Sequence, residues 1–202
     1  MRKPASVTAL EDLGRRRLSP SFFMRDFLYS DIAAIYGLSN IPDAPDLAVE
    51  VGTRLCNDLL EPLQDRFGRI AIRSAYRSSE VNALGNLKGH NCARNELNYA
   101  GHIWDVPNAK GKGAIACVVI PSFYDRFPGE GGWKKLAWWI HDHLPYSTLE
   151  FFPKLWAFNI GWHEQPERSI FSHITPDKGY LTRQGMENHD GSHADLWEGV
   201  LP

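Results

Sequence analysis

Ser74-Ala75-Tyr76-Arg77-Ser78-Ser79-Glu80-Val81-Asn82 is the stretch that decides how the rest of the chain is read. It follows Ile70-Ala71-Ile72, whose apolar side chains read as a short buried strand. The chain leaves that strand through small and polar residues. Ser79–Leu84 then has the look of a helical turn, so Tyr76 and Arg77 stand where strand gives way to helix.

Upstream, Ser19-Pro20-Ser21 predicts a helix start, with Phe22, Phe23, Phe27 and Leu28 at helical spacing. A second helix is expected from Ser30 or Asp31 to Tyr36, closed by Gly37. Asn40–Pro45 reads as a loop. Leu47, Val51, Leu55, Leu59, Leu60 and Leu63 recur with helical period over Asp46–Phe67, ended by Gly68. Downstream, residues 85–101 form a long polar loop, the kind that is often functional. Ile103-Trp104-Asp105-Val106 reads as a strand, and Ala114–Ile120 as either strand or helix. Gly129–Gly132 reads as a turn, Trp133–Leu144 as a helix, and Thr148–Phe152 and Ser169–Ile174 as strands. There is no internal repeat. The expected class is α+β: one domain, an antiparallel sheet with helices packed on one side. The domain spans 18–184, with an arm at 1–17 and a polar tail at 185–202.

Bulk composition narrows the function classes. The chain has 202 residues, 43% hydrophobic and 23% charged, which suits one globular domain with a sizeable core. Its net charge of −2 does not advertise a nucleic-acid partner, since phosphate binding needs clustered positive charge. Cys56, Cys92 and Cys117 are too few and scattered for a disulfide framework. No apolar leader and no run of about 18 apolar residues is present. The expectation is a soluble chain that binds no membrane and stays cytoplasmic unless lysis or another export route releases it.

Several blocks together resemble the peptidase M15 family, the zinc D,D-carboxypeptidase and hedgehog-type peptidases. Leu18-Ser19-Pro20-Ser21-Phe22, Asn40-Ile41-Pro42, Leu60-Glu61-Pro62-Leu63 and Phe67-Gly68 resemble the family's opening motifs. The 74–82 stretch is the most specific match. Asn98-Tyr99-Ala100-Gly101-His102-Ile103-Trp104-Asp105 stands where the family has SxHxxGxAxD, and Phe171-Ser172-His173-Ile174 resembles its terminal strand. The likeness runs from about residue 18 to 184.

The resemblance implies a D-Ala-D-Ala carboxypeptidase/hedgehog-like fold and a Zn²⁺ held by two His and one Asp. A metal-bound water would attack a peptidoglycan stem peptide, or another small peptide, at a D-amino-acid bond. It assigns Asp105 and His173 to the metal. The first His position holds Asn98, a neutral amide and a poor substitute for imidazole. His90 and His102 are the candidates to replace it, and Cys92 is a softer one. Glu167 is the counterpart of the hedgehog-type base, with Glu164 and Glu150 also near in sequence. Arg77, with Tyr76 beside it, is assigned to the substrate cleft, where a guanidinium holds a peptide carboxylate. The alternative is a relative that has lost metal and catalysis and serves as a peptide-binding, wall-binding or structural module.

Two other histidine clusters have plainer readings. His141 and His143 stand two apart and share no helical face, which predicts a solvated helix end. His189-Asp190-Gly191-Ser192-His193-Ala194-Asp195 has a metal-like composition, but Gly-Ser interrupts it and surface residues are the simpler reading.

Overall fold

The fold is taken from a computed structural model, which describes residues 1–129 and 131–199. Glu130, in the expected turn at 129–132, lies outside them. The order is α1 (Val7–Gly14), a 3₁₀ turn (Met24–Phe27), α2 (Asp31–Tyr36), α3 (Pro45–Leu55), a π-helical turn (Cys56–Leu60) and α4 (Glu61–Phe67). Then follow β1 (Ala71–Ser74), α5 (Ser79–Leu87), α6 (Asn95–Asn98), β2 (Gly113–Val119), α7 (Pro121–Arg126) and α8 (Gly132–His143). The chain ends with β3 (Thr148–Phe151), β4 (Phe158–His163), β5 (Ser169–Ser172), β6 (Gly179–Thr182) and α9 (Ala194–Trp197).

Local chemistry accounts for the helical boundaries. Gly37 closes α2 in the left-handed conformation at φ 67°, and the Ser78 hydroxyl accepts from Val81 N–H to start α5. The long helix expected over 46–67 is present but interrupted. Pro62 has no N–H to give Asp58, so the ladder there shifts to a π turn before α4 resumes. The expected helix start at Ser19 is absent. Ser19 and Ser21 instead donate through their hydroxyls to Glu61, and only Met24–Phe27 coils, as a 3₁₀ turn. In the N-terminal arm, α1 is capped by Ser6 and places Leu13 wholly in the core.

One six-stranded sheet runs in the order β1-β2-β4-β3-β5-β6. This is the α+β class expected, with one difference: β3 and β5 pair in parallel, while the other neighbours are antiparallel. β4 pairs one edge of β3, and the chain then turns at 164–168 to bring β5 alongside the other edge, so β5 must run with β3. The sequence reading missed β4 and β6.

Alternation sorts the strands into two faces. Ala114, Ala116, Val118, Leu149, Phe151, Phe158, Ile160 and Ile170 face the core. Against them lie α3, the π turn and α8, with Trp133 of α8 at 5.2 Å from the Phe151 ring. Burying a Phe side chain there contributes roughly 2–3 kcal/mol. Residues 103–106 do not form the expected strand. Ala100 N–H bonds Val106 O, while Gly101 and Ile103 N–H both bond Asn98 O, which winds the segment into compact turns. No helix among the described residues is long and apolar enough to cross a membrane.

Candidate functional site

The second sheet face carries a row of chemistry. Register places Ser74 opposite Cys117, Cys117 opposite Asn159, Asn159 opposite Glu150, and Glu150 opposite Phe171. His173 follows two residues after Phe171 and therefore points to the same side. Its Nε2 meets Glu150 Oε1 at 2.7 Å. The ring lies flat against Phe152 at 5.2 Å and edge-on to Phe171 at 5.0 Å. Asn159 Nδ2–H donates to Glu150 Oε2 at 2.8 Å, so both carboxylate oxygens are engaged.

The 76–106 segment crosses over this row. Arg77 N–H donates to the His102 carbonyl, and His102 Nδ1–H donates to the Ala75 carbonyl at 2.7 Å. A carbonyl can only accept, which fixes the tautomer and leaves Nε2 as an acceptor. Asn159 lies near this ring. Two hydrogen-bonded groups thus flank this side, Ala75 with His102 and Asn159 with Glu150 and His173. Burial, and then the Arg77 charge, push His102 down to about 3, so its imidazole is neutral. Burial likewise pushes the Cys117 thiol up to about 11, against the pull of Arg73, which makes it an unreactive thiol at neutral pH.

Arg77 is the other distinctive group. Its guanidinium donates to Cys92 Sγ, its Nε is buried without a partner, and it forms no carboxylate ion pair among the described residues. Burial lowers it from its usual value, opposed by Cys92, yet a guanidinium keeps its charge. It lines a cavity of about 340 Å³ together with Ser74, Tyr36, His90 and Cys92.

The remaining candidates are dispersed. Asp105 turns the other way: its Oδ2 accepts from Asp43 N–H at 2.7 Å and Ala44 N–H at 3.3 Å, holding the loop that opens α3. Tyr76 is fully buried, edge-on to Trp104 at 6.2 Å, and lines no cleft. Burial, then the adjacent Asp105 carboxylate, push its phenol up, although neither its hydroxyl nor Asp105 Oδ1 achieves hydrogen-bond geometry. Asn98 donates to Asn82, and His90 bonds the Tyr36 hydroxyl at 3.0 Å. Glu167 pairs with Lys110 at 2.7 Å and lies before β5, whereas His173 lies after it. Glu164 accepts from Lys112 N–H. Cys92 is buried beside Arg77. Among the described residues no group of three or more His, Cys, Asp and Glu is placed to hold a metal ion.

Asn159 and Cys117 escaped the sequence reading. β4 has a usable signal, alternation over Phe158, Ile160 and Trp162, but nothing local marks Asn159 as the partner of Glu150.

His141 is also not where its sequence spacing put it. It is buried, with Nδ1 at 2.6 Å from the Tyr146 hydroxyl and Nε2 at 2.8 Å from the His189 carbonyl. The neighbouring Asp142 anchors the tail. It accepts from His193 N–H, His193 Nδ1 and Trp197 Nε1 at 2.8, 2.6 and 2.7 Å. His193 stacks on Trp138 at 4.3 Å. This part of the tail is docked on α8, not the set of surface residues that its sequence suggests. No family model, curated protein or solved structure matches the chain.

Proposed function

We propose that this chain is a non-catalytic relative of the M15 D,D-carboxypeptidase/hedgehog-type proteins that binds a peptide through its free C-terminal carboxylate. The order and spacing of the motifs over 18–184 support the family. The observation that carries the function is Arg77: a partly buried cation without a carboxylate partner among the described residues, beside a cavity large enough for a peptide end. Burying a charge is costly unless an opposite charge meets it. A peptide carboxylate supplies that charge and suits the forked guanidinium.

The donor set does not fit zinc. A tetrahedral site needs three protein donors around one point. Here the first is the amide Asn98, engaged by Asn82, and the second, Asp105, is occupied by two backbone N–H groups. Glu150 and His173 engage each other.

Metal content and peptide binding test this together. Elemental analysis of protein purified without chelator should find no stoichiometric metal, in wild type or in Asp105→Ala. Calorimetric titration with a D-Ala-D-Ala-terminated peptide should show binding that C-terminal amidation or Arg77→Met weakens by about tenfold or more. One zinc per chain, lost in Asp105→Ala, would replace this reading with that of a zinc peptidase with an unusual third ligand. Equal binding of acid and amide peptides would remove the role of Arg77.

A further inference from the structure

A second cleft, of about 190 Å³, opens on the same sheet face two residues along the strands from Cys117, Asn159 and Glu150. Its floor is Ile115, Gly161 and Thr148. Gly161 leaves the floor open: a Cβ there would stand 2.8 Å from Thr148 Oγ1 and 2.9 Å from Ile115 Cγ1.

Two loops bring opposite charges to this cleft. Lys110 Nζ and Glu167 Oε1 both line it and meet at 2.7 Å. Each loop is held separately. Lys110 N–H donates to Asn108 Oδ1 at 2.8 Å, and Glu167 N–H donates to Ser147 Oγ at 3.1 Å. The two loop backbones are therefore held independently of the ion pair. Both side chains remain about half exposed, and such a pair is worth little in itself. A ligand can take it apart at small cost if it replaces both partners.

We infer that this cleft binds a small zwitterion, a free α-amino acid, with its carboxylate on Lys110 and its ammonium on Glu167. A singly charged ligand would take one partner and strand the other. The two charges of an α-amino acid sit on adjacent atoms of one carbon and satisfy both loops together. Thr148 lines the same cleft. Arg77 does not line this cleft, so the inference stands or falls separately from the peptide-binding reading.

Amide chemical-shift titration of the full chain tests it, with glycine and both enantiomers of alanine as probes and N-acetylglycine and glycinamide as controls. The amino acids should give saturable shifts at Ile115, Thr148 and Gly161. The two blocked compounds should bind about tenfold weaker or worse, as should glycine to Lys110→Met and to Glu167→Gln. Exchanging the charges, Lys110→Glu with Glu167→Lys, should recover binding. The same spectra report whether each variant is folded. No saturable shift with any amino acid, or blocked compounds that bind as well as glycine, would overturn the assignment. So would single variants that bind like the wild type.

Discussion

Replacing Asp142 with alanine should release the C-terminal segment while leaving the sheet intact. The Asp142 carboxylate is its anchor: His193 donates from its backbone and its ring, and Trp197 donates from its indole. The side chains of His193 and Asp142 are only 7% and 10% exposed, so water replaces those bonds poorly. Three donors losing a charged acceptor, at about 1 kcal/mol each, gives about 3 kcal/mol of local docking energy. The pH dependence has a definite sign. Burial alone would push Asp142 up, but the donors from Trp197 and His193 outweigh it and hold its pKa below the ordinary 3.8. Its contribution is therefore present above that ordinary value and is lost as pH falls through the folded one. Hydrogen exchange on peptides covering 193–199 reads this directly. Protection in Asp142→Ala should fall by about a hundredfold at neutral pH, with the exchange of β2 and β4 unchanged. Protection within about threefold of wild type would show that stacking on Trp138, and not the carboxylate, docks the tail.

Other perturbations probe the site's frame. His102 is neutral in the fold, at about 3, against an ordinary 6.5. The unfolded chain therefore takes up a proton first as pH falls, and stability should drop by about 2.5 kcal/mol between about pH 7 and 4.5. Urea unfolding of His102→Gln, which removes the titration, should lack that part of the slope; identical slopes would refute it. Gly113→Ala should destabilise by about 2 kcal/mol or more in the same assay, since its Cβ would stand 2.4 Å from the Ala100 carbonyl oxygen. An unchanged midpoint would mean that the 99–106 turns yield freely.

Local signals carried far in this chain where the cause is local. Gly37 closes α2 because its backbone tolerates positive φ, and the leucines of 46–67 mark a helix because their spacing lines one face. The same logic misled at Ser19, where a capping residue next to proline found Glu61 across 42 residues instead of a helix start. At Ile103–Val106 an apolar run was read as strand, but its backbone groups bond within the turns they close. Expecting an antiparallel sheet was sound for every pair except β3 and β5, since nothing in either strand records which edge the other takes.

The amino-acid sequence by itself determined the α+β class, the main helices and the placing of Arg77 at a strand exit. These follow from periodicity and from residues whose backbone preferences act within a few positions. Only the tertiary structure decided which polar groups meet. Glu150 reaches His173 across 23 residues, His102 reaches the Ala75 carbonyl across 27, and Asp105 turns to the 43–44 loop. A side chain's partner depends on strand order and register, and those are settled by packing between segments that lie far apart in the chain.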